Sequence, residues 1–359
     1  MQSMWGRLYA GPPLAGINPA PQAPTPLHLF MLMIALAGCR APSSNEPVVF
    51  DGLTMGTTYT VKVAPPLPVD RAELAAGIAA VLDEVDGRMS TYKPDSELSR
   101  LNTNPGLDWL PISAPLANIL GVALDISRLT DGAYDITIGP LVNLWGFGPG
   151  DRPRQVPDEA TLATTRQRVG YKFIELDPRT PALRRHAPDL YLDLSSIAQG
   201  FGSDAVGKYL SARGIRNFMV DVSGEILARG VNAAGQPWHI GIERPVATEG
   251  DIERVIVLRD VAMATSGDYR NYFEQGGIRY SHLIDPASGR PIGHRLASVS
   301  VLAPTATRAD GLATALMILG PERGYELAMR EKMPALFIMR TDSGFEEHWT
   351  PFLEPYLQK

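Results

Sequence analysis

The chain predicts an α+β fold of mixed or antiparallel sheets with inserted helices, and three patterns carry that prediction. Short alternating apolar runs separated by glycine-rich turns cluster in the second half: Phe218–Val222, Glu225–Arg229, Trp238–Ile242, Val255–Leu258 and Val261–Thr265. Longer segments with apolar residues three and four apart precede them and return near the C-terminus. Strands come in groups, with helices between the groups, and this is the pattern of an α+β domain rather than of strictly alternating βαβ units.

The 359 residues suffice for one large domain or two ordinary ones, and 45% hydrophobic with 20% charged residues is ordinary for a packed globule. A net charge of −6 and the lack of any basic run argue against nucleic acid as a partner. The single cysteine, Cys39, ends the apolar run that starts at Leu27. That run is too short to span a bilayer as a helix and has the length of a signal-peptide core. Leu36-Ala37-Gly38-Cys39 resembles the bacterial lipoprotein processing box, in which the cysteine is lipidated and becomes the mature N-terminus. The alternative is a buried helix with an incidental cysteine, against which the proline-rich flanks speak. Arg7 is the only positive charge ahead of the run, so either the signal is long or translation starts at an internal Met. Residues 1–38 are read as a signal peptide, 39–49 as a tether and 50–355 as the folded domain, with a subdomain break placed near 190.

Along that domain, Thr58–Val63 alternates as a strand, and Gly52 and Gly56 bracket Met55 in the turn before it. Glu73–Met89 places Leu74, Ile78, Val81, Leu82, Val85 and Met89 on one helix face, a core stripe that needs no ligand to explain it. Pro94 breaks the chain and Ser96 offers a cap. A second helix is expected over Ser113–Thr130, stopping at Gly132. Residues 132–148 interleave glycine, proline and aromatics, and fit either a pocket wall or a plain loop. Asp158 caps a short helix to Val169. Tyr191–Leu194 reads as a strand turning through Ser195-Ser196 into a helix that reaches Arg213. Such a helix start favours anions, although its glycines do not match the dinucleotide or P-loop fingerprints; Ser195 or Ser196 as a simple N-cap is the alternative. After the central strands come Leu296–Ala303, helices over Ala309–Gly320 and Pro321–Met329, and a last hairpin, Ala335–Arg340 with Glu346–Phe352.

Residues 280–320 hold the chemistry. Asp310 and Thr314 share one helix face, with Leu312, Ala315, Leu316 and Leu319 opposite and Met317 and Ile318 alongside. A carboxylate among apolar neighbours must be paired, hydrogen-bonded or bound to a cation. Carboxylate and hydroxyl oxygens one turn apart suit a hard cation, Mg²⁺ or Ca²⁺, better than zinc. The competing reading makes Asp310 a dipole-stabilised residue near a helix N-terminus.

Several motifs then coincide in one order: Thr54-Met55-Gly56-Thr57, Met89-Ser90-Thr91-Tyr92, Gly132-Ala133-Tyr134-Asp135-Ile136-Thr137, Asp193-Leu194-Ser195-Ser196 through Gly200, Thr265-Ser266-Gly267-Asp268-Tyr269, His282-Leu283-Ile284-Asp285-Pro286 with Gly289, and Ala309-Asp310 with Thr314. Together they resemble the FAD:protein FMN transferases, the ApbE family of flavin transferases, over roughly Phe50–Phe352. The resemblance implies that fold, FAD as substrate, Mg²⁺ as cofactor, and transfer of FMN through a phosphoester to a Thr or Ser of an acceptor protein, such as a membrane redox-complex subunit, with release of AMP. It implies FAD contacts at Met55, Tyr92, Ala133, Tyr134, Asp135, Asp193, Gln199 and Ile284, and metal contacts at Ser196, Asp310 and Thr314. Ser196 would serve through its carbonyl or its hydroxyl. Two positions depart from the family pattern: Ala313 stands where relatives often carry an oxygen-bearing side chain, and Gln199 where a charged residue is common. Tyr92 and Tyr134 are expected to stack on flavin or adenine rings. His282 is the candidate general base, with Asp285 orienting it or approaching the metal; a buried, hydrogen-bonded strand histidine is the alternative. The anchor places the enzyme on the periplasmic side of the inner membrane by the same resemblance. Hydrolysis of FAD to FMN and AMP, and non-enzymatic storage of FAD, are the competing functions.

Overall fold

A computed structural model of the chain describes residues 46–150, 153–246 and 252–358. The segment expected to be a signal peptide, Cys39 and most of the expected tether lie outside the described residues. Ser43–Lys359 forms one compact unit. No helix among the described residues is long and apolar enough to cross a membrane.

Eight strands make one sheet whose spatial order follows the chain: β1 (Val48–Thr54), β2 (Thr57–Val63), β3 (Phe218–Val222), β4 (Glu225–Arg229), β5 (Ala262–Gly267), β6 (Leu296–Ala303), β7 (Ala335–Thr341) and β8 (Gly344–Trp349). Every neighbouring pair is antiparallel, so the sheet is not mixed. The tether ends earlier than expected, because Val48 and Val49 already pair with Val63 and Lys62. Met55 and Gly56 take φ of 46° and 73°, and Thr54 faces Thr57, so β1 and β2 are joined by the two-residue left-handed turn that suits the twist of a hairpin.

Four long helices cover one face: α1 (Arg71–Met89), α2 (Ala114–Leu129), α3 (Ala198–Ala212) and α4 (Ala306–Arg330). α3 lies on β3 and β4, α4 on β5 and β6, and α1 and α2 rest behind them. Caps set their starts as composition suggests. The carboxylate of Asp70 accepts the Ala72 and Glu73 N–H groups, and Ser113 accepts that of Leu116. The span of α4 holds the two helices expected near the C-terminus, joined at Gly320, whose non-helical φ of 82° beside Pro321 ends the first and lets the second start.

Alternation decides which residues face the helices. Phe218, Val220 and Val222 pack under α3, while Met219 turns to the other face, where the hairpin Trp238–Glu243/Ile252–Leu258 and the turn Pro351–Tyr356 close a second core. β6 is buried along its whole length.

One expected strand is absent. Leu190, Leu192 and Leu194 alternate into the core, but no ladder forms at Tyr191–Leu194. The Asn102 side-chain amide brackets Leu192 instead, accepting its N–H at 2.8 Å and donating to its carbonyl at 2.9 Å, and the Asp193 N–H reaches the Ile136 carbonyl. Alternation reported burial correctly there, and a side chain replaced the neighbouring strand.

Candidate active site

α3 starts without a side-chain cap: Ile197 occupies the N-cap position, and Ser195 N–H is taken by the Asp193 carboxylate at 2.8 Å. The orphan N–H of Gly200 in the first turn instead meets Asp310 Oδ2 of α4 at 3.0 Å. Asp204 of α3 returns the interaction, its carboxylate accepting the Ala306 and Thr307 N–H groups at the start of α4, both at 2.9 Å. Each helix therefore supplies a carboxyl acceptor for the orphan N–H groups at the other's start. The close crossing needs glycine: a Cβ on Gly200 would stand 2.4 Å from the Ala306 carbonyl oxygen.

This exchange leaves Asp310 6% exposed and Thr314 7% exposed, side by side on the wall of a cavity of about 430 Å³. Burial first, and the nearby charge of Asp204, push the Asp310 carboxyl up to about 8, against the opposing pull of the Gly200 N–H. The donors that Asp310, Thr314 and Ser196 present are carboxylate and hydroxyl oxygens, a set that fits a hard divalent cation sharing its shell with substrate oxygens. Among the described residues no cluster of three His, Cys, Asp or Glu side chains assembles as a ready metal cage.

Ten of the thirteen site residues expected from sequence line this one cavity: Tyr92, Tyr134, Asp135, Asp193, Ser196, Gln199, His282, Ile284, Asp310 and Thr314. Their roles sort by what each side chain already holds. Tyr92 is 64% exposed, its hydroxyl donating to the Phe147 carbonyl at 3.3 Å, and its ring is free to stack on a planar ligand. Tyr134 is 1% exposed within the main core, so its ring is packing and only its hydroxyl, which accepts from Ser196 Oγ at 3.0 Å, meets the cavity. The stacking expected of Tyr134 is therefore not available. Asp135 spends both oxygens on the scaffold, on Thr137 and on the Tyr171 N–H.

His282 lines the same cavity. Its Nδ1 lies 3.1 Å from the Asn271 carbonyl, which can only accept, so the proton is on Nδ1 and Nε2 keeps its lone pair. Burial holds the imidazole below its ordinary pKa, which keeps it neutral at pH 7. The orienting role expected of Asp285 belongs to that carbonyl. Asp285 turns away to accept the Ala287 and Ser288 N–H groups at 3.0 and 3.2 Å, forming the turn that ends at Gly289, and it does not line the cavity. Beneath that turn the indole of Trp145 donates to the Gly289 carbonyl at 2.9 Å and packs beside Ile284, Phe273 and Tyr280. Met55 and Ala133 also stand off the cavity wall. Met55 packs near Gly202 of α3, and Ala133 donates its N–H to Thr130.

Sequence reading missed Glu225, Ser266, Asn271 and Arg270, all on the wall. Glu225 carried a detectable signal, since it shares its strand face with Leu227, where alternation demands an apolar residue. A neighbouring cavity of about 850 Å³ meets this one at Ser223, Thr265, Tyr269 and Arg270.

Residues 55–337 match the model of the ApbE family. The chain is 45% identical over 328 residues to a protein of Vibrio cholerae named FAD:protein FMN transferase, covering 91% of this chain and 97% of that one. It is 39% identical over 317 residues to the Escherichia coli K12 protein of the same name, covering 88% and 90%. Among solved structures, the flavin transferase ApbE from Vibrio cholerae superposes with a TM-score of 0.80 at 44% identity, covering 87% of this chain and 99% of that one. The apo form of the Pseudomonas stutzeri flavinyl transferase ApbE gives 0.79 at 38% identity, covering 87% and 97%. With its motifs gathered on one cavity and its α+β architecture shared, the chain belongs to the ApbE family.

Proposed function

We propose that this chain is an FAD:protein FMN transferase that moves FMN from FAD to a Thr or Ser hydroxyl of an acceptor protein and releases AMP. The observation that carries the reading is the convergence of ten separated positions on one cavity, whose wall the buried Asp310 and Thr314 share with a neutral His282. Tyr92 offers the surface for a ring system, and Gln199 and Ile284 line the same wall. Arg270, bound at 2.6 Å to Glu243, places a cation at the junction of the two cavities, where a diphosphate and an incoming acceptor would meet.

In the reaction the acceptor oxygen bonds to the FMN phosphorus while the P–O bond to AMP breaks. His282 Nε2 takes the hydroxyl proton, and the imidazole is held for this by the Asn271 carbonyl. Ser196, Asp310 and Thr314 would hold Mg²⁺, which when bound offsets charge on the phosphoryl oxygens. Tyr134 fixes Ser196 through its hydroxyl. We further propose that Cys39 is lipidated and anchors the enzyme on the periplasmic face of the inner membrane.

The test is incubation of the purified mature chain with FAD, Mg²⁺ and an acceptor carrying a flavinylation site. The acceptor should gain flavin fluorescence that survives a denaturing gel, with one AMP released per flavin attached. Rapid FMN and AMP production without acceptor would instead indicate a pyrophosphatase, and intact bound FAD a storage protein. Cys39→Ala should move the protein from the membrane pellet to the soluble fraction.

A further inference from the structure

Glu225 has no part in the site as built so far, and its placement is costly. It opens β4 directly after Ser223 and Gly224, which take φ of 62° and 101°. Alternation sets it on the helix-facing side with Leu227, yet it is 7% exposed and its Oε2 is buried without a hydrogen-bond partner. It forms none of the ion pairs among the described residues; Arg270, the basic side chain nearest in sequence on the cavity wall, is paired with Glu243. An apolar residue would pack this position without the desolvation cost of a lone carboxyl group.

The backbone around it is well fixed. Ser203 Oγ donates to the Glu225 carbonyl at 2.6 Å. Ser203 follows Gly200 by one turn of α3, and Gly200 N–H holds Asp310. A single turn of α3 thus anchors both acidic residues, one from the sheet and one from α4, and both line the same cavity with Thr314 and Ser196. Two acids on one cavity wall, one with an unpaired buried oxygen, together with hydroxyls and no paired cation, form a donor set for a hard divalent ion.

We propose that Glu225 supplies a second carboxylate oxygen to the divalent cation held by Asp310 and Thr314. The inference rests on the cation reading of Asp310 given above. Full-length mature protein without FAD is titrated with Mn²⁺, and free Mn²⁺ is followed by its paramagnetic resonance signal, for wild type, Glu225→Gln and Asp310→Asn. Gln matches a neutral carboxylic acid in shape and polarity, so a purely structural Glu225 would tolerate it. The expected result is a tenfold or greater loss of Mn²⁺ affinity in Glu225→Gln with an unchanged circular-dichroism spectrum, and a loss in Asp310→Asn as well. Wild-type affinity in Glu225→Gln with affinity lost in Asp310→Asn overturns the role of Glu225 and leaves the cation reading standing. Wild-type affinity in both variants overturns both. Should Glu225→Gln fail to fold, Glu225→Ala is read by the same criteria.

Discussion

Asp310 is buried beyond what a carboxylate tolerates without compensation, and this fixes its pH behaviour. Its folded-state pKa of about 8 lies above the ordinary value of 3.8. Between these values the folded chain keeps a proton that the unfolded chain has released, so the stabilising contribution is complete below the lower value and is lost as pH rises through the upper one. Asp310→Asn removes that loss. The cation-free variant is expected to be more stable than wild type above pH 8, by at least about 1 kcal/mol given that one pKa unit is worth about 1.4 kcal/mol, while flavin transfer falls to background; urea denaturation in EDTA, repeated at low pH where the difference should vanish, checks it. His282 titrates the opposite way. Burial lowers its pKa, so the acid limb of kcat/KM should lie below the ordinary histidine value of 6.5, and His282→Ala should abolish that limb and reduce kcat by about 10²–10⁴. A limb that persists in His282→Ala would assign the base elsewhere. That Asp310 and Thr314 share one helix face was legible from spacing, because a helix face is a local property. The partner of His282 was not, since Asn271 reaches it through a backbone carbonyl that leaves no mark in residue type.

Helix pairs and loops carry the site, and they fail in recognisable ways. Where α3 crosses α4, a methyl group on Gly200 would collide with the Ala306 backbone and the Asp310 Cβ, at 2.4 and 2.8 Å. Gly200→Ala should therefore cost about 1–3 kcal/mol by overpacking and displace Asp310, lowering transfer activity more than Gly202→Ala, whose nearest neighbour is the flexible end of Met55 at 3.0 Å. The turn after His282 depends on Trp145 in the same sense. Trp145→Ala removes the indole bond to Gly289 and empties a fully buried site, with an expected loss of about 3–5 kcal/mol in urea denaturation. The amphipathic helices α1 and α2 were readable from periodicity, and the caps at Ser96 and Asp158 from residue type, since periodicity and N-cap chemistry are both local. Tyr191–Leu194 was misread as a strand because periodicity reports which side chains are buried and is silent about what pairs the backbone; there the answer was Asn102, 90 residues away.

The antiparallel order of the sheet follows the chain from β1 to β8, so no distant crossover is needed to align the strands that frame the cavity. The long excursion between β2 and β3 carries α1, α2, the aromatic loop and α3 onto one face, which gathers motifs from across the sequence against α4. The sequence motifs held this convergence only as an order of short matches, and the distances among them became physical once the helices were packed. The central claim is that Asp310 and Thr314 hold a divalent cation against the diphosphate of FAD. Its most direct test is a crystal of the mature chain soaked with FAD and Mn²⁺, recorded for anomalous scattering. The account predicts a single strong peak within coordination distance of Asp310 and Thr314, bridging to the diphosphate oxygens; FAD bound in the cavity with no peak there, or with its diphosphate turned away from α4, would contradict it.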